Sequence, residues 1–390
     1  MLLVPCTLLL FIACQPVQAD LPAPTAVAQA TVQPTLTSSP TASATASATA
    51  TPVPPPPTST PIPTSTAVPA TATPVYTATP EPSYEVHLAA VGDIMLSRTL
   101  GNVIASGNIT YPFAAVVDYL RPVDVTVGNL ETALGSGGEP APKAYPFISP
   151  PASADALALA GFDVVSLANN HGMDYGPETL LEGMALLRAQ NVQPVGAGAN
   201  WDEAHAPVII ESNGLRLAFL GYVNVPVEAR SGFDTKTWDA TADTPGLAWG
   251  TAEVITRDVT AVSARPDVDH VIVILHSGYE YQVSVNPIQE ELAYSAIDAG
   301  ATAVLGHHAH ILQRLEIYNG GFIAFGLGNF AFNIDGPPRT AILHLWLDKE
   351  GVTDFSLIPA MVTGTGAPRL ATPEEADAIL SDLAPYHRLR

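Results

Sequence analysis

Residues 164–176 read VVSLANNHGMDYG, an apolar run that passes directly into two amides, an imidazole and a carboxylate, with glycines between them. Four further runs end the same way. Val91 leads to Gly92-Asp93, Val127 to Gly128-Asn129-Leu130-Glu131, Leu275 to His276, and Ala303-Val304-Leu305 to Gly306-His307-His308-Ala309-His310. Short apolar runs bounded in this way read as buried strands, and in open α/β sheets ligands sit beyond the carboxyl ends of strands. The five polar clusters are therefore expected to converge on one crevice. Five of the ten histidines fall in three of these clusters, the most specific signal in the chain.

The neighbouring segments fit an α/β chain. EVHLAAVG (85–92), VDVTVGN (123–129), FDVVSLAN (162–169), DHVIVILH (269–276) and ATAVLGHH (301–308) read as strands, and a helix-like stretch follows from Ile94. Residues 177–191 predict a helix with Pro177 at its start, Leu180, Met184 and Leu187 on one face and Asn191 as its stop. Asn213-Gly214 between two apolar runs (208–222) predicts a hairpin, and 287–300 a helix bounded by Pro and Gly. The later segments 312–326 and 340–358 are β-rich, and 374–384 is helical. Strand–helix alternation followed by hairpins indicates an α/β domain with a mixed sheet or two packed sheets.

The formal net charge is −22, from 37 acidic against 15 basic residues, and no charged residue lies between Asp20 and Glu81. A domain this acidic, without a basic stripe, repels nucleic acid, so no nucleic-acid partner is expected. Both cysteines, Cys6 and Cys14, precede the folded part, so a metal site there must use His, Asp, Glu or Asn. Residues 1–19 read as a signal peptide: the apolar run Leu2–Ala13 is short for a membrane span. Phe11-Ile12-Ala13-Cys14 resembles a bacterial lipobox with Cys14 as the lipidation site; the alternative is cleavage near Val17-Gln18-Ala19. Residues 20–83 are a Pro/Thr/Ala/Ser-rich segment expected to stay extended as a spacer. The expected arrangement is a domain over 84–365, a helical tail over 366–390, and an extracytoplasmic location at the membrane through a lipid anchor, or else secretion.

Imidazole and carboxylate groups at separate strand ends suit Zn, Mn or Fe as a divalent ion. An ion bound there would lower the pKa of a bound water and polarise an ester or phosphoryl oxygen. Asp93 also suits a helix N-cap, and Asp174 either a cap for the helix at Pro177 or a place in the site. Asn169 reads as a turn residue.

GDIMLSR (92–98), GNLETAL (128–134), ANNHGMDYG (168–176), HSGYEY (276–281), GHHAH (306–310) and GLGNF (326–330) occur in the order found in the CapA/PgsA-type capsule synthesis proteins, and the chain resembles that family over roughly 85–332. The family is associated with poly-γ-glutamate capsule biosynthesis and is similar to the calcineurin-like metallophosphoesterases. The resemblance implies a metallophosphatase-like αββα sandwich with mixed sheets and one or two divalent metal ions. Carried over by position, Asp93, Asn170, His276, His308 and His310 are implied metal ligands and His171 the general acid or transition-state stabiliser. Two departures bear on the site. Met95 stands where phosphoesterases have the first-motif His, and Asn129 where they have Asp, with Glu131 as the nearest carboxylate and candidate replacement ligand. Arg98, Lys143, Glu280 and Asn329 are candidate substrate contacts, each with a bland alternative: a salt bridge for Arg98, solvent for Lys143, orientation of His276 for Glu280, a tight turn for Asn329.

The function that the resemblance implies is a role in capsule or poly-γ-glutamate biosynthesis, with a metal-binding cleft. The expected partners are an anionic polymer such as poly-γ-glutamate and a membrane synthase or export complex. The alternatives are a non-catalytic assembly or polymer-binding subunit, and an extracytoplasmic metal-dependent phosphodiesterase unrelated to capsule.

Overall fold

The computed structural model describes residues 84–228, 230–333 and 336–388. The signal-peptide segment 1–19, the spacer 20–83 and Cys14 therefore lie outside the described residues. The strands of the two central sheets are β1 (Val86–Met95), β2 (Val125–Leu130), β3 (Val164–Ser166), β4 (Gln193–Val195), β5 (Val208–Ser212), β6 (Leu215–Asn224), β7 (His270–Ser277), β8 (Ala303–His307), β9 (Leu315–Tyr318), β10 (Gly321–Ala324), β11 (Asn329–Phe332), β12 (Arg339–Leu347), β13 (Val352–Val362) and β14 (Pro368–Leu370). The main helices are α1 (Arg98–Ala105), α2 (Ser153–Ala160), α3 (Gly176–Ala189), α4 (Ala252–Ser263), α5 (Pro287–Asp298) and α6 (Pro373–Leu383).

Two sheets form the centre. The eight-stranded sheet runs β14-β13-β12-β1-β2-β3-β4, with β11 beside the end of β1, and the six-stranded sheet runs β9-β10-β8-β7-β6-β5. Both are mixed: β1–β4 pair in parallel while β12 is antiparallel to β1, and β6, β7, β8 and β10 pair in parallel while β5 and β9 are antiparallel. Strand alternation explains the layering, because successive side chains point to opposite faces. Val86, Leu88 and Ala90 of β1 join Leu217 and Phe219 of β6, Ile272 and Ile274 of β7 and Leu305 of β8 in the core between the sheets. Ala89 and Val91 face the other way, onto α1, α2 and α3. Val271, Val273 and Leu275 of β7 face α4 and α5. Central strands covered on both faces must be apolar throughout, which is how they read in the sequence. The architecture is the expected αββα sandwich.

The hairpin at Asn213-Gly214 forms as its residues require, with φ of 49° and 81° at the two turn positions. Helix α3 buries Leu180, Met184 and Leu187 as its spacing predicts. Two elements differ from the sequence reading. The stretch from Ile94 is not helical: β1 continues to Met95 because β11 supplies a second, parallel partner for its end, and α1 begins only at Arg98. Helix α4 was not foreseen, although Thr251 caps it and Ile255, Val259 and Val262 form its buried stripe. The tail adds β14 to the large sheet before α6, whose Ile379 and Leu383 pack on Leu312 and Ala341.

Candidate metal centre

The carboxyl ends of β1, β2, β3, β7 and β8 face one another across the two sheets, and their polar clusters meet there. Asp93, Glu131, Asn170, His276, His308 and His310 are all buried. Their donor atoms form two overlapping groups, Glu131/His276/His308 and Asp93/Glu131/His310, each with its ligand atoms within 4.8 Å of one another. Glu131 belongs to both. Its Oε1 lies 3.8 Å from His276 Nε2, 3.8 Å from His310 Nε2 and 4.0 Å from His171 Nε2. Asn170 Oδ1 lies 2.8 Å from His276 Nε2, on the rim of the same space.

Glu131 is the exceptional residue. Both its carboxylate oxygens are buried without a hydrogen-bond partner among the described residues, and His308 Nδ1 shares that condition. Leaving a buried acceptor unpaired costs about 1–3 kcal/mol, more for a charged group, so such groups mark a place meant for something else. A divalent cation fits: the donors are imidazole nitrogens and carboxylate oxygens on a borderline-hard pattern with no thiolate. Burial, and then the Asp93 charge, push the Glu131 carboxyl well above the usual range, and burial with His310 beside it lowers His308 to about 3. Burial and neighbouring His308 also depress His276. Asp93 runs the opposite way. Burial would raise it, but hydrogen bonds from His307 and His310 outweigh that and hold it well below the carboxylate range.

Local backbone positions these groups. Gly92 is packed so closely that a Cβ would meet the Gly328 carbonyl oxygen at 1.9 Å, and Asp93 N donates to that same oxygen at 2.8 Å. Asp93 is therefore held by β11, and it caps no helix. His308 and His310 lie past the end of β8 with φ of 83° and 55°. Left-handed backbone at both positions turns the two rings inward; strained backbone of this kind costs on the order of 1–3 kcal/mol per residue. Met95, at the first-motif position, packs with Phe147 and Phe332 as an apolar wall.

An amide network missing from the sequence reading supports the donors. Asn129 Nδ2 donates to Asp93 Oδ1 at 2.8 Å and lies 3.1 Å from His276 Nδ1. Asn169 Nδ2 donates to Asn129 Oδ1 at 3.0 Å and to the Leu130 carbonyl at 2.9 Å, and His171 N donates to Asn169 Oδ1 at 3.0 Å. Asn169 thus cross-links two strand ends as well as turning the chain. His307 is buried with Nδ1 3.0 Å from Asp93 Oδ1. Outer partners of this kind orient ligands.

His171 and Asp174 form a pair, Nδ1 to Oδ2 at 2.6 Å, and Phe147 N donates to the same oxygen at 2.6 Å. Asp174 makes no cap for α3, whose N-cap is Tyr175 without a side-chain bond. With Nδ1–H donated to a carboxylate, Nε2 of His171 is left facing Glu131. Burial lowers the His171 pKa against the opposing pull of Asp174.

The substrate-contact candidates divide. Lys143 is neither solvated nor presented to the cleft: its ammonium is buried between Asp174 (2.8 Å) and Glu228, donates to the Asn170 carbonyl at 2.5 Å, and lies 5.2 Å from the Trp238 ring centre. Glu228, unmarked in the sequence, also accepts from Asn170 Nδ2 at 3.2 Å. Asn329 is buried at the start of β11 with Oδ1 2.8 Å from His310 Nδ1, so it holds a ligand ring rather than facing a substrate. Glu280 is exposed at the rim and makes no hydrogen bond to His276. Arg98 is exposed, 4.7 Å from the Phe147 ring centre, without the expected salt bridge among the described residues.

Comparison with known proteins identifies the chain's relatives. Residues 87–334 match the family model described as "Bacterial capsule synthesis protein PGA_cap". The chain is 30% identical over 294 residues to the "Capsule biosynthesis protein CapA" of Bacillus anthracis, covering 73% of this chain and 69% of that one. It is 32% identical over 275 residues to the "PGA biosynthesis protein CapA" of Bacillus subtilis, covering 69% and 70%. A third relative, a "Probable polyglutamine synthesis accessory protein" of Mycobacterium tuberculosis, is 32% identical over 258 residues, covering 63% and 66%. The chain belongs to the bacterial capsule synthesis protein PGA_cap family.

Proposed function

We propose that this chain acts outside the cytoplasm in capsule or poly-γ-glutamate biosynthesis, tethered through Cys14, with a cleft that binds one or two divalent ions and works on a glutamate polymer or its linkage to a carrier. The observation that carries the metal reading is the Glu131 carboxylate, buried, without hydrogen-bond partners, and common to both donor groups. Asp93, Glu131, Asn170, His276, His308 and His310 would hold the metal. A divalent ion there supplies Lewis acidity toward a carbonyl or phosphoryl oxygen. The chain's own contribution is protonic: Asp174 accepts from His171 Nδ1–H and leaves Nε2 turned to the cleft, where the neutral ring takes up a proton and, as the imidazolium that Asp174 stabilises, gives it to a leaving group. The Phe147 ring, stacked on His171 at 4.3 Å between ring centres, restricts the imidazole and shields it from water.

A second reading, a non-catalytic assembly subunit, is favoured by one observation: the apolar Met95–Phe147–Phe332 wall occupies the place of an imidazole ligand. The two readings separate on purified protein. Metal is counted, and phosphodiester and γ-glutamyl substrates are assayed beside His308→Ala. Turnover lost with metal in the variant supports the enzyme; bound metal with no turnover on either substrate class supports the assembly role. Export is tested separately by membrane fractionation of Cys14→Ser, which is expected to release the chain from the membrane fraction.

A further inference from the structure

Eleven arginines lie among the described residues, and eight of them sit within ion-pair distance of a carboxylate. In a chain with a net charge of −22 that is the ordinary fate of an arginine. Arg98, Arg121 and Arg230 differ, having no such partner among the described residues. Arg98 and Arg230 come together on one ring, their guanidinium carbons 5.8 and 5.5 Å from the centre of Tyr145. Arg230 Nη1 also donates to the Tyr145 hydroxyl at 2.8 Å. Arg98 reaches Phe147, the ring that stacks on His171. Its backbone has φ of 50°, a conformation unfavourable for a residue with a Cβ, at the first position of α1. Both arginines and Tyr145 are exposed.

The cleft behind this cluster is acidic, with Asp93, Glu131, Asp174 and Glu228 inside and Glu280 at the rim. Lys143, the cation inside it, is enclosed by Asp174 and Glu228, whereas Arg98 and Arg230 offer exposed charge at its mouth. We propose that Arg98, Tyr145 and Arg230 form a carboxylate-binding subsite at the mouth of the cleft, which takes the free carboxylates of a polyglutamate chain and leads that chain toward His171. Two planar guanidinium forks match carboxylates bidentately. The exposed Tyr145 ring beneath them offers apolar surface to the methylene groups between charges, which a polyphosphate lacks. The proposal rests on the reading of the cleft as the working site.

The test is calorimetric titration of poly-γ-glutamate into the full chain, at two salt concentrations, with metal content measured on every sample. Arg98→Ala and Arg230→Ala are each expected to weaken binding about tenfold, and the double variant further, with a shallower salt dependence. Arg98→Lys should recover only part of the loss, because it keeps charge without the fork. Arg121→Ala is the control, since Arg121 precedes β2 on the side away from the cleft and packs against Gly161; it is expected to bind as wild type. Circular dichroism and unchanged metal content show that the variants are folded. Absence of polymer binding by the wild type, or equal affinity in the double variant, overturns the subsite. Polyphosphate that binds as tightly and loses as much overturns its assignment to carboxylates. Failure of the metal reading is separable: a metal-free wild type that still loses polymer with the two arginines keeps the subsite and discards the metal.

Discussion

Replacing Lys143 by methionine removes a charge on which two carboxylates depend. Its ammonium lies 2.8 Å from Asp174 Oδ1, pairs with Glu228 Oε1, and the Lys143 and Asp174 side chains are both 0% exposed. Methionine keeps most of the stem beside Phe233 and Trp238, so the loss is mainly electrostatic. Breaking one partner out of a buried pair costs about 3–5 kcal/mol, because a charge stays behind unpaired. The lower end is expected. Asp174 retains bonds from Phe147 N and His171 Nδ1, and the Glu228 side chain, 13% exposed, can partly rehydrate. Urea unfolding monitored by fluorescence measures this as a shift in midpoint at constant slope. A double variant with Glu228→Gln should recover about 1–2 kcal/mol through the coupling of the two sites. A loss below about 1 kcal/mol in Lys143→Met, together with weakened polymer affinity, would refute the buried-clamp reasoning and make Lys143 a substrate contact.

Three further outcomes are expected. Gly92→Ala forces a Cβ onto the Gly328 carbonyl and should cost at least about 1–3 kcal/mol while lowering metal uptake, read by denaturation and metal counting; wild-type stability would contradict the close approach. Glu375 has its pKa lowered to about 2, first by the Arg369 side chain and then by Thr372 N at the cap of α6. Because the folded value lies below the unfolded one near 4.5, its stabilising contribution is present above pH 4.5 and is lost as pH falls toward 2. Carboxyl NMR should show that midpoint, and Arg369→Ala should raise it; an unshifted midpoint in the wild type contradicts the pairing. Asp174→Asn should lower any turnover at the His171 step by about 10²-fold or more while metal content stays near wild type; unchanged turnover would remove His171 from the chemistry.

The strand ends were legible because burial on both faces demands unbroken apolar runs, and the first polar residues after them are the ones that reach the crevice. Asp93, His276 and Asn170 could be located this way. The misplaced helix at Ile94 and the role of Lys143 have another origin. Both depend on contacts far along the chain: β11 pairs with β1 from more than two hundred residues away, and Lys143 finds its partners at 174 and 228. The Asn129–Asn169 network was hidden because amides after a strand resemble ordinary turn residues, and only the assembled sheets show them bridging strand ends. The left-handed turns at His308 and His310 carry no local mark either, since neither residue is glycine. Helix α4 was readable from its cap and stripe.

Anomalous diffraction from crystals of the chain grown with manganese or zinc tests the metal centre most directly. The expected result is a peak about 2.0–2.2 Å from a Glu131 oxygen, shared with His276 and His308, with Asp93 and His310, or with both groups. A Glu131 carboxylate without a peak at saturating metal, its oxygens satisfied by protein donors or water alone, would contradict it.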